Sequence, residues 1–209
     1  MTIAEEPVAF GLAKSLARPG GNITGLAVVP GAEIYGKNLE LLKEALLPGA
    51  RIGVLFNPSS PVNALWLHAT EAAARELGVT LVPAGVRSVE DFAQAFAVMQ
   101  HENARGVVVL LGDPVLGSNK ERINELAVRS GLASMWPICS GAEAGGLMSY
   151  GSIDLDRFAA HRYPEFLGGL YIPHNCIPLA KCHTGLIRRI KLCPRRSQRP
   201  QHGKAQNRN

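Results

Sequence analysis

Arg51-Ile-Gly-Val-Leu-Phe-Asn-Pro-Ser-Ser-Pro61 is an apolar run of six residues that stops at a turn. A half-exposed strand alternates apolar and polar residues. This run does not, so it reads as a strand buried on both faces, as in a parallel sheet. Gly106-Val-Val-Val-Leu-Leu111, followed by Gly112-Asp113-Pro114, repeats the pattern. Between and around these two strands lie helical spacings. Tyr35, Leu39, Leu42, Ala45 and Leu46 mark one face of a helix over 35–47, which Pro48-Gly49 ends. A second amphipathic helix runs from Val62 to Leu77 and closes at Gly78. Val79–Pro83 is expected as a strand, and a helix from Ser88 or Val89 to about Gln100 carries Ser88 as N-cap with Asp91 in the capping-box position. Leu116 or Asn119 to Ser130 is expected as a helix, Ser134–Ile138 and Leu147–Tyr150 as short strands, and Asp154–Ala160 as the start of a last helix.

Strands alternating with helices across short loops predict an α/β protein with a parallel sheet flanked by helices, over roughly residues 26–160. Upstream, residues 7–18 read as a short helix stopped by Pro19-Gly20-Gly21-Asn22, and Ile23–Val29 as a strand or a hinge. From His161 the alternation ends. Residues 194–209 contain no Leu, Ile, Val, Phe, Tyr, Trp or Met, cannot contribute to a core, and are expected to be disordered.

Charge divides the chain at the same point. Residues 1–160 hold 12 Lys/Arg and 16 Asp/Glu; residues 161–209 hold 10 Lys/Arg and only Glu165. The basic balance therefore belongs to the tail, and the first 160 residues carry no basic face of the kind a nucleic-acid surface needs. No apolar stretch reaches the roughly 20 residues needed to span a bilayer. Cys176, Cys182 and Cys193 lie at spacings of six and eleven, which fit no common zinc finger. The sequence has no phosphate-binding glycine loop, no nucleophile elbow and no evident acid–base pair, so no catalytic residue, metal or cofactor is expected.

In open α/β sheets ligands bind at the carboxyl ends of the strands. The loops there are Asn57–Pro61, Gly85–Arg87, Gly112–Pro114 and Ser140–Glu143. Their hydroxyls, amide and carboxylates suit a small polar solute, although the same residues also serve as turn formers and helix caps. Trp66 and Trp136 are expected to pack rather than stack on a ligand, Cys139 to be inert, and His68 and His101 to be solvated.

Four ordered blocks resemble one family. Gly11-Leu-Ala-Lys-Ser-Leu-Ala-Arg-Pro-Gly-Gly-Asn-Ile-Thr-Gly25, Leu39-Glu-Leu-Leu-Lys-Glu44, Gly53-Val-Leu-Phe-Asn-Pro58 and Glu143-Ala-Gly-Gly-Leu-Met-Ser-Tyr-Gly151 are similar to segments of ABC-transporter substrate-binding proteins with a periplasmic binding protein type I fold, a branch that includes aromatic amino-acid binders. The resemblance implies a non-catalytic receptor whose two Rossmann-like lobes close over a small solute, such as an amino acid, and then dock on a membrane permease. Residues 1–29 would be a remnant of the first lobe and hinge, 30–160 the second lobe and 161–209 a basic tail. The second lobe's ligand contacts would fall on Ser59, Ser60, Asn63, Asp113, Ser140 and Asp154.

The family address is extracytoplasmic, whereas Met1-Thr2-Ile3-Ala4-Glu5-Glu6 does not read as a secretion signal, which leaves a cytoplasmic chain as the expectation. A cytoplasmic small-ligand sensor of the same fold is the alternative; it needs an attached signalling or DNA-binding module, and no helix-turn-helix pattern is present. An enzyme on a similar sheet needs a nucleophile and base. The missing first lobe and the change at residue 161 are expected from a truncated, frame-shifted gene product with weak or no solute binding. Sequencing the coding DNA is expected to reveal family-like segments in another frame beyond codon 160; their absence from both other frames removes the frameshift explanation.

Overall fold

The computed structural model describes residues 2–4, 6–15, 17–22, 25–27, 32–152 and 169–171. Two short parallel strands, β1 (Thr2–Ala4) and β2 (Gly25–Ala27), pair with each other. The main body starts with α1 (Glu33–Ala45) and continues through β3 (Arg51–Phe56), α2 (Pro61–Leu77), β4 (Leu81–Gly85), α3 (Asp91–His101) and β5 (Ala104–Val109). It then runs through α4 (Pro114–Gly117), α5 (Lys120–Arg129), β6 (Ala133–Ile138), α6 (Cys139–Glu143), β7 (Met148–Ser152) and β8 (Gly169–Tyr171).

The sheet order is β4-β3-β5-β6-β7-β8. The first five strands are parallel and β8 is antiparallel to β7. The two apolar runs that announced the fold, β3 and β5, are neighbours in the sheet interior, where strands are covered on both faces. Tyr35, Leu39 and Leu42 of α1 and Trp66 and Ala74 of α2 form one hydrophobic cluster with Ile52 and Val54. Phe92, Phe96 and Met99 of α3 and Ile123 and Ala127 of α5 form the other, with Leu55, Val107 and Val109. Gly53 admits Met99 to the middle of β3, since a Cβ there would lie 2.5 Å from the Met99 sulfur. The expected α/β architecture, a parallel sheet flanked by helices, is the observed one.

Local chemistry explains where elements stop. In α2 the Ser60 side chain accepts the N–H of Asn63, Pro61 occupies the first turn, and Gly78 adopts a left-handed conformation at the C-terminus (φ 64°). Lys43 of α1 donates to the Leu77 carbonyl at 2.7 Å and satisfies one more terminal acceptor. Trp66 packs against Tyr35 with ring centroids 4.9 Å apart, and its indole N–H donates to the Glu6 carboxylate at 2.8 Å. Both tryptophans are fully buried, in keeping with their expected packing role.

Several boundaries differ from expectation. Residues 7–12 form turns rather than a helix, because Gly11 takes φ 71° after a single turn closed by the Phe10 N–H on the Glu6 carbonyl. β4 begins at Leu81, two residues late, since the Val79 N–H is held by the Ala74 carbonyl as part of the α2 C-terminus. Its Pro83 is tolerated because β4 pairs only with β3 and leaves an outer edge that needs no donor. β5 lies two residues earlier than expected, at 104–109. α3 starts at Asp91, and Ser88 is not its N-cap. Asp91 does make the expected capping-box bond to the Ser88 N–H, and also accepts the Arg87 N–H, while the Ser88 hydroxyl holds the Glu90 carboxyl below the usual range. Ser140–Glu143, expected as a loop, belongs to the short helix α6. Residues 169–171, within the 161–209 stretch expected as a basic tail outside the sheet, add the strand β8. The expected helix over 154–160 and the tail beyond 171 lie outside the described residues.

One core position runs against its surroundings. Asn38 sits on the buried stripe of α1 at 0 % exposure, and neither of its amide atoms has a hydrogen-bond partner among the described residues. An unsatisfied buried polar group costs about 1–3 kcal/mol. Asn38→Leu is therefore expected to raise the thermal unfolding midpoint by roughly 3–8 °C; a lower midpoint in a melting experiment would show that the amide makes a bond in solution.

Candidate functional site

With β3 placed first, the chain goes to β4 on one side and then crosses to β5 on the other. The order of winding thus reverses between β3 and β5. The loops leaving the two strands there splay apart and open a crevice, the usual ligand position in a sheet of this kind. Residues 57–60 and 110–113 are those loops.

Three side chains tie them together. Asn57 follows the last residue of β3. Its Nδ2 donates to Asp113 Oδ2 at 2.9 Å, and its Oδ1 accepts the Ser59 N–H at 2.8 Å. Asp113 Oδ1 accepts the Val115 N–H at 2.8 Å, which caps α4. Asn63 is fully buried in the first turn of α2. Its Oδ1 accepts the Asn57 N–H at 2.8 Å, and its Nδ2 donates to the Leu111 carbonyl at 3.0 Å. Each loop is thus held to the other by side-chain amides as well as by the Leu110 N–H on the Leu55 carbonyl.

The expected site residues divide by what remains free on them. Asn63 has both amide atoms engaged and is inaccessible. The Ser60 hydroxyl accepts the Asn63 N–H at 3.4 Å. Ser59 is exposed and Ser140, in α6 at the end of β6, is half-buried; neither hydroxyl has a partner among the described residues. Asp113 is half-buried and uses one lone pair on each oxygen, so it keeps acceptor capacity. The structure brings Ser59, Ser60, Asn63 and Asp113 together across β3 and β5. Ser140 lies at the end of β6, the strand next to β5. Asp154 lies outside the described residues.

Asn57 was not among the expected site residues, although it spans the crevice. Its signal in the sequence was a polar residue placed directly after a buried strand and before a proline. Among the described residues Asp113 has an amide and a backbone N–H as its partners, and no Asp, Glu or His is bonded to it. What the rim offers is hydrogen bonding and one carboxylate. Among the described residues no group of three His, Cys, Asp or Glu could hold a metal, and no helix is long and apolar enough to cross a membrane.

The profile of the family described as ABC transporter substrate binding protein matches residues 1–154. The tyrosine-binding protein of Clostridioides difficile is 30 % identical over 97 residues, a match covering 46 % of this chain and 27 % of that protein. Among solved structures, a conserved domain protein from Vibrio cholerae superposes with a TM-score of 0.71 at 21 % identity, covering 90 % of this chain and 68 % of the other. The ABC domain from Streptococcus pneumonia, solved in complex with L-Trp, gives 0.61 at 21 % identity over 80 % of this chain and 61 % of its own. The ligand-free, open structure of a substrate-binding protein with adhesive properties from Clostridium difficile gives 0.61 at 20 %, over 82 % and 63 %. At these identities the solved structures show a shared fold. The chain spans about a quarter of the curated relative's length in their match and about two thirds of the solved chains.

The crevice tie makes a pH-dependent prediction. Asn57→Asp sets a second carboxyl against Asp113, and a neighbouring negative charge raises the pKa of the introduced group in the folded state. The folded chain then binds more protons than the unfolded one, so stability is retained below the unfolded pKa near 4 and falls as pH rises through the folded value. Urea unfolding is expected to find the variant close to the parent at pH 4–5 and about 1–3 kcal/mol less stable at pH 8; an equal deficit at both pH values contradicts the proximity of the two groups.

Proposed function

The chain belongs to the ABC transporter substrate-binding protein family, a family of solute-binding proteins rather than catalysts, and from that premise we propose that residues 30–160 form one wall of a cleft for a small polar solute of the amino-acid class. The observation that carries this reading is the Asn57–Asp113 hydrogen bond across the strand-order reversal. It fixes a carboxylate with spare acceptor capacity at the position where open α/β sheets receive ligands.

In this reading Asp113 accepts from the solute's ammonium group, the strongest kind of hydrogen bond the rim can offer. Ser59 and Ser140 supply hydroxyls that both donate and accept. Ser60 and Asn63 hold the loop, and Asp154 adds a further contact. The amino-acid class is favoured by the tyrosine-binding relative and by the fold neighbour solved with L-Trp. Residues 1–29 belong to a first lobe and the hinge, and a bound solute is handed to a permease outside the cytoplasm. Contacts from two lobes would raise affinity through closure.

One wall alone supplies only its own contacts, so the full chain titrated with L-tyrosine and with L-tryptophan is expected to bind weakly, with amide shifts in NMR spectra centred on residues 57–60, 113–115 and 139–141. Asp113→Asn keeps the capping acceptor, but removes the charge and sets its own NH2 against the Asn57 Nδ2 donor, and is expected to weaken binding about tenfold. Shifts confined to other surfaces, or unchanged affinity in Asp113→Asn, would overturn the assignment.

A further inference from the structure

We infer that Asn124, on α5 and far from any loop tip, is the positioning residue for the Ser140 side of the rim, a role that rests on the solute-binding reading above. Asn124 is 2 % exposed. Its Nδ2 donates to the carbonyls of Gly141 at 2.8 Å and Ala144 at 3.1 Å. Its Oδ1 accepts from the Trp136 indole at 2.9 Å and from the Ser134 hydroxyl at 3.2 Å. A primary amide has two N–H donors and two acceptor lone pairs, so every bond this side chain can form is made inside the protein.

The orientation of the amide is determined by its neighbours. Indole N–H only donates, so it requires the amide oxygen; the two carbonyls only accept, so they require the amide nitrogen. These carbonyls come from α6 and the residue after it, where a short helix has few internal partners for its last C=O groups. Gly141 also accepts the Gly146 N–H at 3.2 Å, and the Ser134 hydroxyl accepts the Leu147 N–H at 3.1 Å. The stretch 139–147 is thereby pegged at both ends to β6 and α5.

Packing reinforces the pegs. The Trp136 ring is fully buried directly beneath Gly141, where an added Cβ would overlap its Cγ and Cδ2, and a Cβ on Gly146 would lie 2.8 Å from its Cδ1 and Nε1. Ser140 is covalently joined to Gly141, and among the described residues its hydroxyl has no hydrogen-bond partner to hold it in place. Its position follows from the Gly141 peptide, and that peptide is held by Asn124 and Trp136. The arrangement parallels Asn63, whose amide holds Asn57 and Leu111 on the other side of the rim. Two buried asparagines on helices therefore place the two halves of one candidate surface.

The test uses the full chain. Amide hydrogen exchange in Asn124→Ala is expected to be at least about tenfold faster at residues 141–147 and unchanged in β3, since a loop that has lost two buried hydrogen bonds opens locally. Trp136→Phe, which removes the indole donor together with part of the buried ring beneath Gly141, is a second variant and should move the same amides. Affinity for L-tyrosine or L-tryptophan is expected to drop about tenfold in Asn124→Ala, and this drop should vanish in a Ser140→Ala background, the non-additivity of a residue acting through another. Faster exchange across the whole sheet, or an equal affinity loss with and without the Ser140 hydroxyl, identifies a packing role and overturns the inference. If the parent binds neither amino acid, the solute assignment fails, while the exchange pattern alone still decides whether Asn124 holds the loop.

Discussion

The hydrogen bond from Asn57 to Asp113 spans the one place in the sheet where the chain reverses its winding. Strands β3 and β5 are neighbours, yet the helices attached to them leave toward opposite faces, so their loops diverge. Past the end of β5 the sheet's own ladder continues as the Leu110 N–H on the Leu55 carbonyl. The side-chain amides of Asn57 and Asn63 extend the pairing past that point, and Asp113 joins the β5 loop to both Asn57 and the start of α4. The rim is consequently a rigid edge of the sheet rather than a set of independent loops.

Rigidity of that edge requires a rigid sheet beneath it. Two hydrophobic layers supply this, one under α1 and α2 and one under α3 and α5. The interior strands carry no alternation because both faces are covered. The two tryptophans mark the layers: Trp66 packs with Tyr35 on one face, and Trp136 belongs to the opposite cluster. Each also uses its indole N–H to secure a segment, the turn at Glu6 in one case and the amide of Asn124 in the other. Side chains that fill a core layer thus also anchor loops, because an indole buries a large apolar area and still demands one acceptor.

The uninterrupted apolar runs at 51–56 and 106–111 were enough to read a parallel sheet, and the helical stripe at Tyr35, Leu39 and Leu42 was legible as a buried face. Boundaries were less legible where a residue's partner is distant in sequence. Val79 looks like the start of a strand until its N–H is seen closing the end of α2. Ser88 has the spacing of a capping box, but its hydroxyl turns to Glu90 instead. The strand at 169–171 had no strand pattern of its own; it exists by pairing with β7, and pairing is not written into three residues.

For the site, sequence alone determined residue types and their placement on loops at the carboxyl ends of strands, because strand–loop–helix alternation is a local, periodic property. It therefore supplied the loops 57–61, 85–87, 112–114 and 140–143, and the family resemblance singled out Ser59, Ser60, Asn63, Asp113, Ser140 and Asp154 as one set. Tertiary structure decided how that set divides. Asn63 is buried with both amide atoms bonded, Asp113 keeps acceptor capacity, and Ser59 and Ser140 have hydroxyls with no partner among the described residues. It also gave Asn57, the amide of the first rim loop, its role as the tie across the crevice, and brought in Asn124. Their importance comes from bonds to Asp113, Gly141 and Ala144, up to 56 residues away, and hydrogen-bond partners at such separations are set by the folded packing of strands and helices rather than by any short stretch of chain.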